Sequence, residues 1–184
     1  MASDAPAEVP AKLPDLATAR IPVYDLPNGF EELSTEEFDT TFPVAGQEYE
    51  PQAVFAYVNG SEFQMVLGMN FLLTEVLERT GFDLALSQPE LILKEIASQM
   101  EGDNVRKEEV TKVLDGVGET QVAMTMVVDL EGLPMRVNIG MFRRDMVGGM
   151  IMSMTMLGQP ESISLRELGQ LFDKRIQRSL NSAQ

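Results

Sequence analysis

Two hydrophobic periods divide the chain. Between residues 109 and 157 apolar side chains recur at every second position. Val122, Met124, Met126 and Val128 alternate with Ala123, Thr125 and Val127. Met135, Val137, Ile139 and Met141 alternate with Arg136, Asn138 and Gly140, and Met150, Met152, Met154 and Met156 alternate with Ile151, Ser153 and Thr155. A period of two belongs to strands, and turn signals at Asp115-Gly116, Glu131-Gly132 and Gly148-Gly149 separate the runs. The segment predicts an antiparallel meander with one strongly apolar face and one mixed face. Upstream, the runs 53–58 and 61–69 flank Asn59-Gly60, which predicts a hairpin closed by a two-residue turn.

A period near 3.6 marks three helices. Asn70 can cap a first helix over 71–80, with Glu75 and Arg79 one turn apart and Gly81 as its stop. Ser87-Gln88-Pro89-Glu90 opens a second over 88–101, with capping-box spacing, Pro in the first turn and a stripe of Ile92, Ile96 and Met100 beside Leu93 and Ala97; Gly102 ends it. Ser164-Leu165-Arg166-Glu167 opens a third, in which Leu165, Leu168, Leu171, Phe172, Ile176 and Leu180 share a face; the last four residues are expected to fray. The order of elements predicts an α+β fold, an antiparallel sheet flanked by helices. The even-numbered Met face needs a cover, since each buried Met side chain contributes roughly 1.5–3 kcal/mol. The helices at 88–101 and 165–180 are the covers at hand.

The first fifty residues differ from the rest. They hold six prolines and eleven acids against two bases, Lys12 and Arg20. Residues 1–20 mix Ala, Pro and Asp without period and read as a flexible tether, leaving 21–184 as a single domain. Within it, 21–26 reads as an edge strand, Pro27-Asn28-Gly29-Phe30 as a turn, and Ser34-Thr35-Glu36-Glu37 as one turn of helix at most.

Composition narrows the chemistry by exclusion. The 184 residues carry a formal charge of −15 and contain no Cys, His or Trp. Disulfides, thiolate zinc sites, Cys nucleophiles and imidazole bases or ligands are therefore impossible. A pI near 4.3 argues against a nucleic-acid partner. No apolar run reaches the ~18–20 residues of a spanning helix, so no transmembrane segment is expected. The start shows no charged, apolar, A-x-A pattern. The compartment stays open: exported, lumenal or periplasmic if a leader was removed, otherwise cytoplasmic.

The acids at Glu31-Glu32, Glu36-Glu37-Asp39, Glu48, Glu50 and Glu108-Glu109 lack the spacing of a glycosidase pair or a calcium loop, and read as a solvated face, with weak divalent-cation binding as the alternative. Gly116-Val117-Gly118 lacks a third glycine, and neither a phosphate-cradling loop, a G-x-S-x-G elbow nor an S-x-x-K pair occurs. No catalytic residue, cofactor or metal ligand is assigned. Thirteen Met, nine of them between 124 and 156, fit gap-filling in a core. An adaptable groove for a peptide or lipid and a thioether copper site are the sharper alternatives. Arg143-Arg144, after a strand, can hold a partner's carboxylate or an acidic lipid, and are the candidates for partner contact. The plainer alternative is ion pairing with acids such as Asp145 or Asp173.

Leu26-Pro27-Asn28-Gly29-Phe30 resembles the P-x-G-[FW] opening of PsbP-like proteins. Phe142-Arg143-Arg144-Asp145 through Met150–Met156, then Ser164-Leu165-Arg166-Glu167-Leu168 and Leu171-Phe172-Asp173-Lys174-Arg175-Ile176, resemble that family's last hairpin and closing helix. The resemblance covers roughly residues 23–180 in element order. It implies an α/β/α sandwich and a non-catalytic assembly or interaction role, often on exported lipoproteins or lumenal subunits of photosynthetic membranes. The lipidated Cys and the His ligands of some relatives are missing, so neither an anchor nor a metal site carries over. Three functions go forward: a non-enzymatic module docking onto a larger, membrane-associated or photosynthetic complex; a carrier of an apolar ligand in a Met-lined pocket; and a carboxylate- or Lys-dependent enzyme.

Overall fold

A computed structural model describes residues 12–36, 42–44, 47–99 and 105–183. In chain order these form β1 (Phe30–Glu32), β2 (Phe42–Val44), β3 (Gln47–Tyr49), β4 (Pro51–Asn59), β5 (Gln64–Leu72), α1 (Val76–Leu86), α2 (Pro89–Gln99), β6 (Val105–Thr111), β7 (Thr120–Leu130), β8 (Leu133–Arg144), β9 (Val147–Met156) and α3 (Leu165–Ala183). Seven strands make one antiparallel sheet in the order β1-β4-β5-β9-β8-β7-β6, and β2 and β3 pair separately. The meander read between 109 and 157 is β6 to β9. Its last strand lies beside β5, so Met65 faces Met154, Leu67 faces Met152 and Met69 faces Met150 in cross-strand rows.

Helices cover both faces, which makes the α/β/α sandwich. On one face Phe82, Leu86, Ile92 and Ile96 of α1 and α2 pack on Met124, Met126, Ile139, Met141 and Met150. On the other, Leu168, Phe172 and Ile176 of α3 pack on Phe55, Phe142, Val147 and Ile151. This corrects the expectation that 88–101 and 165–180 cover the same Met face. The mixed face is apolar enough to need a lid of its own, because aromatic rings from neighbouring strands lie over its glycines. A Cβ at Gly149 would come 2.7 Å from the Phe142 ring, and one at Gly68 2.2 Å from the Phe55 ring.

Part of the segment read as a flexible tether over residues 1–20 is packed instead. Residues 1–11 lie outside the described residues, but Leu16, Ala19 and Ile21 are buried in the core beneath α3. The buried Asn70 amide donates to the carbonyls of Leu16 (3.2 Å) and Ala19 (2.8 Å) and holds this segment on the sheet. The edge strand expected at 21–26 is instead a 3-10 turn, Val23–Asp25. Pro22 and Pro27 have no N–H for a ladder, and β1 occupies the edge of β4. The turn at 27–30 forms, with Gly29 at φ 103°.

Three further boundaries move. The β4–β5 loop has four residues rather than two, since Asn59 pairs with Gln64. Asn59 is buried as the last strand residue, and its side-chain oxygen accepts from the Ser61 hydroxyl and the Glu62 amide. The first helix is not 71–80: β5 continues to Leu72, and α1 begins after Glu75 and runs through Gly81. Gly148 and Gly149 lie inside β9, and the turn before it is Asp145-Met146 with Asp145 at φ 53°. Helix α3 continues through Ala183 instead of fraying over its last four residues. Met100 and Gly102, read into the end of the second helix, and Glu37 and Asp39 lie outside the described residues.

Candidate interaction surface

Arg143 and Arg144 end β8, and consecutive strand residues point to opposite faces. Each arginine therefore reaches a different helix. Arg143 holds Asp83 of α1 in a bidentate pair, Nε to Oδ1 at 2.8 Å and Nη2 to Oδ2 at 2.9 Å. Its Nη1 also donates to Glu119 and to the Asp145 carbonyl, each at 2.8 Å. Arg144 holds Asp173 of α3, Nε to Oδ1 at 2.9 Å and Nη2 to Oδ2 at 2.6 Å. The Asp173 carboxylate also accepts from the Gly118 amide and from Gln177. The arginine hydrogen bond holds the Asp83 carboxyl below its ordinary range, and the same two pairs raise both guanidinium groups. The Arg143 side chain is only 13% exposed. These side chains are spent on fastening one helix to each face of the sheet.

The exposed apolar surface lies elsewhere. Glu75 caps α1 in a box with Glu78, and acids there suit the positive end of the helix. Arg79 crosses back to donate to the carbonyls of Leu73 and Thr74, both at 3.0 Å. Ser87 and Gln88 connect α1 to α2, and Pro89 takes the first position of α2, where its missing N–H costs nothing. Phe82, Ala85, Leu86, Ile92, Leu93 and Ile96 turn to the sheet. Val76 (68%), Leu77 (80%), Leu84 (60%) and Leu91 (57%) are left facing solvent. A groove of about 110 Å³ runs where the two helices meet, lined by Gly81, Leu84, Ala85, Gln88, Leu91 and Ile92. Between residues 75 and 95 five acids (Glu75, Glu78, Asp83, Glu90, Glu95) stand against two bases, Arg79 and Lys94.

Ending the first helix at Gly81 hides this surface, because it leaves Leu84 outside any helix. The signal available in the sequence was Leu77 and Leu84, seven residues apart and so on one face of a helix carried through Gly81.

The Met face is closed at one end and open at the other. Met150 is buried, whereas Met152, Met154 and Met156 are half-buried together with Met65, Leu67 and Met135. Helices α1 and α2 pack over β6, β7 and β8, and Tyr49 stacks on Phe71 at 4.9 Å. On the α3 side, Lys12, Asp15, Thr18, Arg175 and Arg178 line a cleft of about 400 Å³. Arg175 there pairs with Asp25 at 2.5 Å.

Among the described residues no group of three acids is placed to hold a metal ion. No helix among them is long and apolar enough to cross a membrane. Burial pushes the Glu161 carboxyl above its ordinary range, against the pull of Arg136 and of a hydrogen bond from Asn138. No protein-family model matches the chain, and no curated protein matches it.

Proposed function

We propose that the chain is a non-enzymatic interaction module that docks onto a larger assembly, the kind of role the PsbP-like resemblance implies. The exposed aliphatic face of α1 and α2 carries this reading. Single hydrophobic side chains on a surface are ordinary, but Leu84 and Leu91 share one groove, and Val76 and Leu77 are also exposed on α1. Contiguous exposed apolar surface rimmed by charge is the mark of a contact site. A photo-crosslinking residue at Leu84, in cells that express the protein naturally, should give a discrete adduct that disappears when Leu77 and Leu91 are changed to Ser. The same residue at Glu31, exposed on β1, should give none. Equal labelling from both positions, or none from either, counts against an interaction role.

The half-buried Met152, Met154 and Met156 favour a second reading, carriage of an apolar ligand on the open end of the Met face. It predicts a copurifying apolar molecule of fixed mass in native mass spectrometry. A bare protein mass argues against it.

A further inference from the structure

Resting on the docking role just proposed, we infer that the α1–α2 groove receives one basic amphipathic helix of a protein partner. Three observations carry this. The first is shape. A groove of about 110 Å³ is well below the roughly 300–1,000 Å³ of a small-molecule site, so it suits a side chain delivered by a larger body. A cleft between two helices accepts the ridge of a third, and helix-in-groove recognition uses aliphatic anchors spaced by whole turns.

The second is Gly81. It sits mid-helix with ordinary backbone angles, and a Cβ built there meets nothing within 4 Å. Glycine in a helix interior shifts the folding equilibrium unfavourably by roughly fourfold against alanine. Neither packing nor turn geometry in this chain calls for it. It leaves a notch in the floor of the groove through which an incoming backbone or side chain can approach closely.

The third is charge. Of the five acids between 75 and 95, Glu75, Glu78, Glu90 and Glu95 are not taken up by ion pairs with Arg79 or Lys94. Lys94 and Glu95 lie three and four residues beyond Leu91 on the same side of α2, so the excess of acid over base comes from Glu90 and from Glu75 and Glu78 at the start of α1. A second copy of this chain would bring the same acids to the contact, and an anionic lipid surface is repelled by them. A helix with Leu on one face and Lys or Arg beside it satisfies both the groove and its rim.

The test uses the full chain and three probes: an 18-residue Leu/Lys amphipathic peptide, its Leu/Glu twin, and vesicles containing anionic lipid. The Leu/Lys peptide should bind at least tenfold tighter than the twin, gain helicity on binding, and weaken with added salt. Leu84→Ser, which changes no charge, should weaken it at least tenfold. Gly81→Ala should raise the melting temperature by about 2–4 °C while weakening the peptide several-fold, which a purely structural glycine would not do. Equal binding of the two peptides, unchanged binding to Leu84→Ser, or vesicle binding that Leu84→Ser abolishes would each overturn the inference. If the peptides fail while the Leu84 crosslink persists, only the partner's chemistry is wrong. If both fail, the docking role falls too.

Discussion

A methyl group at Gly148 has no room. Its Cβ would stand 2.1 Å from the Phe71 ring, which lies over this residue from the neighbouring strand; Phe142 covers Gly149 and Phe55 covers Gly68 in the same way. In all three pairs the aromatic ring replaces the missing side chain of its cross-strand partner. Gly148→Ala should therefore lower stability in urea by about 1–3 kcal/mol, the usual cost of overpacking. Gly60, with nothing near its Cβ, should tolerate Ala far better, and equal losses at the two sites would contradict the ring-over-glycine packing. The same residues explain one failure of sequence reading. Consecutive glycines signal a turn, and only the register of Phe71 and Phe142, set by β5 and β8, reveals that they serve packing. Methionine gives a second residue-scale prediction. Under mild peroxide, Met124, Met126, Met141 and Met150 should resist oxidation while Met152, Met154 and Met156 react faster. Peptide mapping with equal rates for both groups would show that the Met face is not closed at one end as described.

At the scale of elements, the two arginines divide the labour between helices. Arg144→Gln leaves Asp173, whose side chain is 6% exposed, as a buried charge without its cation; Arg143→Gln leaves Asp83 at 31% exposure and within reach of water. Losing one partner of a buried pair is the costlier event. Arg144→Gln should thus lower the melting temperature more than Arg143→Gln. Arg143→Gln should instead speed hydrogen exchange in α1 with a smaller global effect. The reverse order would show that the α3 clamp is not the stronger one. Two carboxyls give opposite pH signs. Asp83 is held low by Arg143, so its contribution is complete above the ordinary carboxylate range and is lost as pH falls through the lowered value. Glu161 is raised by burial, so the folded state holds its proton more tightly than the unfolded chain, and stability falls as pH rises through that window. Glu161→Gln keeps an oxygen for Asn138 and should stabilise the protein at pH 7 but not at pH 4. A neutral-pH loss would mean that the hydrogen bond outweighs burial. Helix α3 was legible because its Ser164/Glu167 capping box and its stripe agree. Helix α2 was legible from its stripe and from Pro89, although the capping box read at Ser87 does not form, since Ser87 ends α1 and its hydroxyl donates to the Leu84 carbonyl. Helix α1 was not, because its two punctuation residues serve other ends: Asn70 holds the N-terminal segment, and Gly81 lies in the floor of a groove. Arg143 and Arg144 were legible as a charged pair, but the strand parity that sends them to different helices appears only once the sheet is built.

At the scale of the whole molecule, an open sheet with a net charge of −15 opposes association with its copies by two means. Its edges are poor templates, since β1 is three residues long and β6 carries Arg106, Lys107, Glu108 and Glu109 in succession. Its charge also opposes contact between the exposed leucines of different molecules at neutral pH. The second means disappears as pH approaches the pI near 4.3. The Asp83 carboxyl, held below its ordinary range, stays paired with Arg143 across that approach, so α1 remains fastened while repulsion fades. Association should therefore precede unfolding: light scattering should rise as pH falls toward 4.3 with the far-ultraviolet dichroism unchanged. It should rise less for Leu84→Ser, because that substitution removes apolar surface and leaves every charge in place. If dichroism is lost before scattering begins, the clamp does not outlast the charge. If the variant scatters like the parent, the surface joining the copies is not the α1–α2 face, and exposed Leu130, Leu133 and Leu157 at the far end of the sheet become the surface to change next.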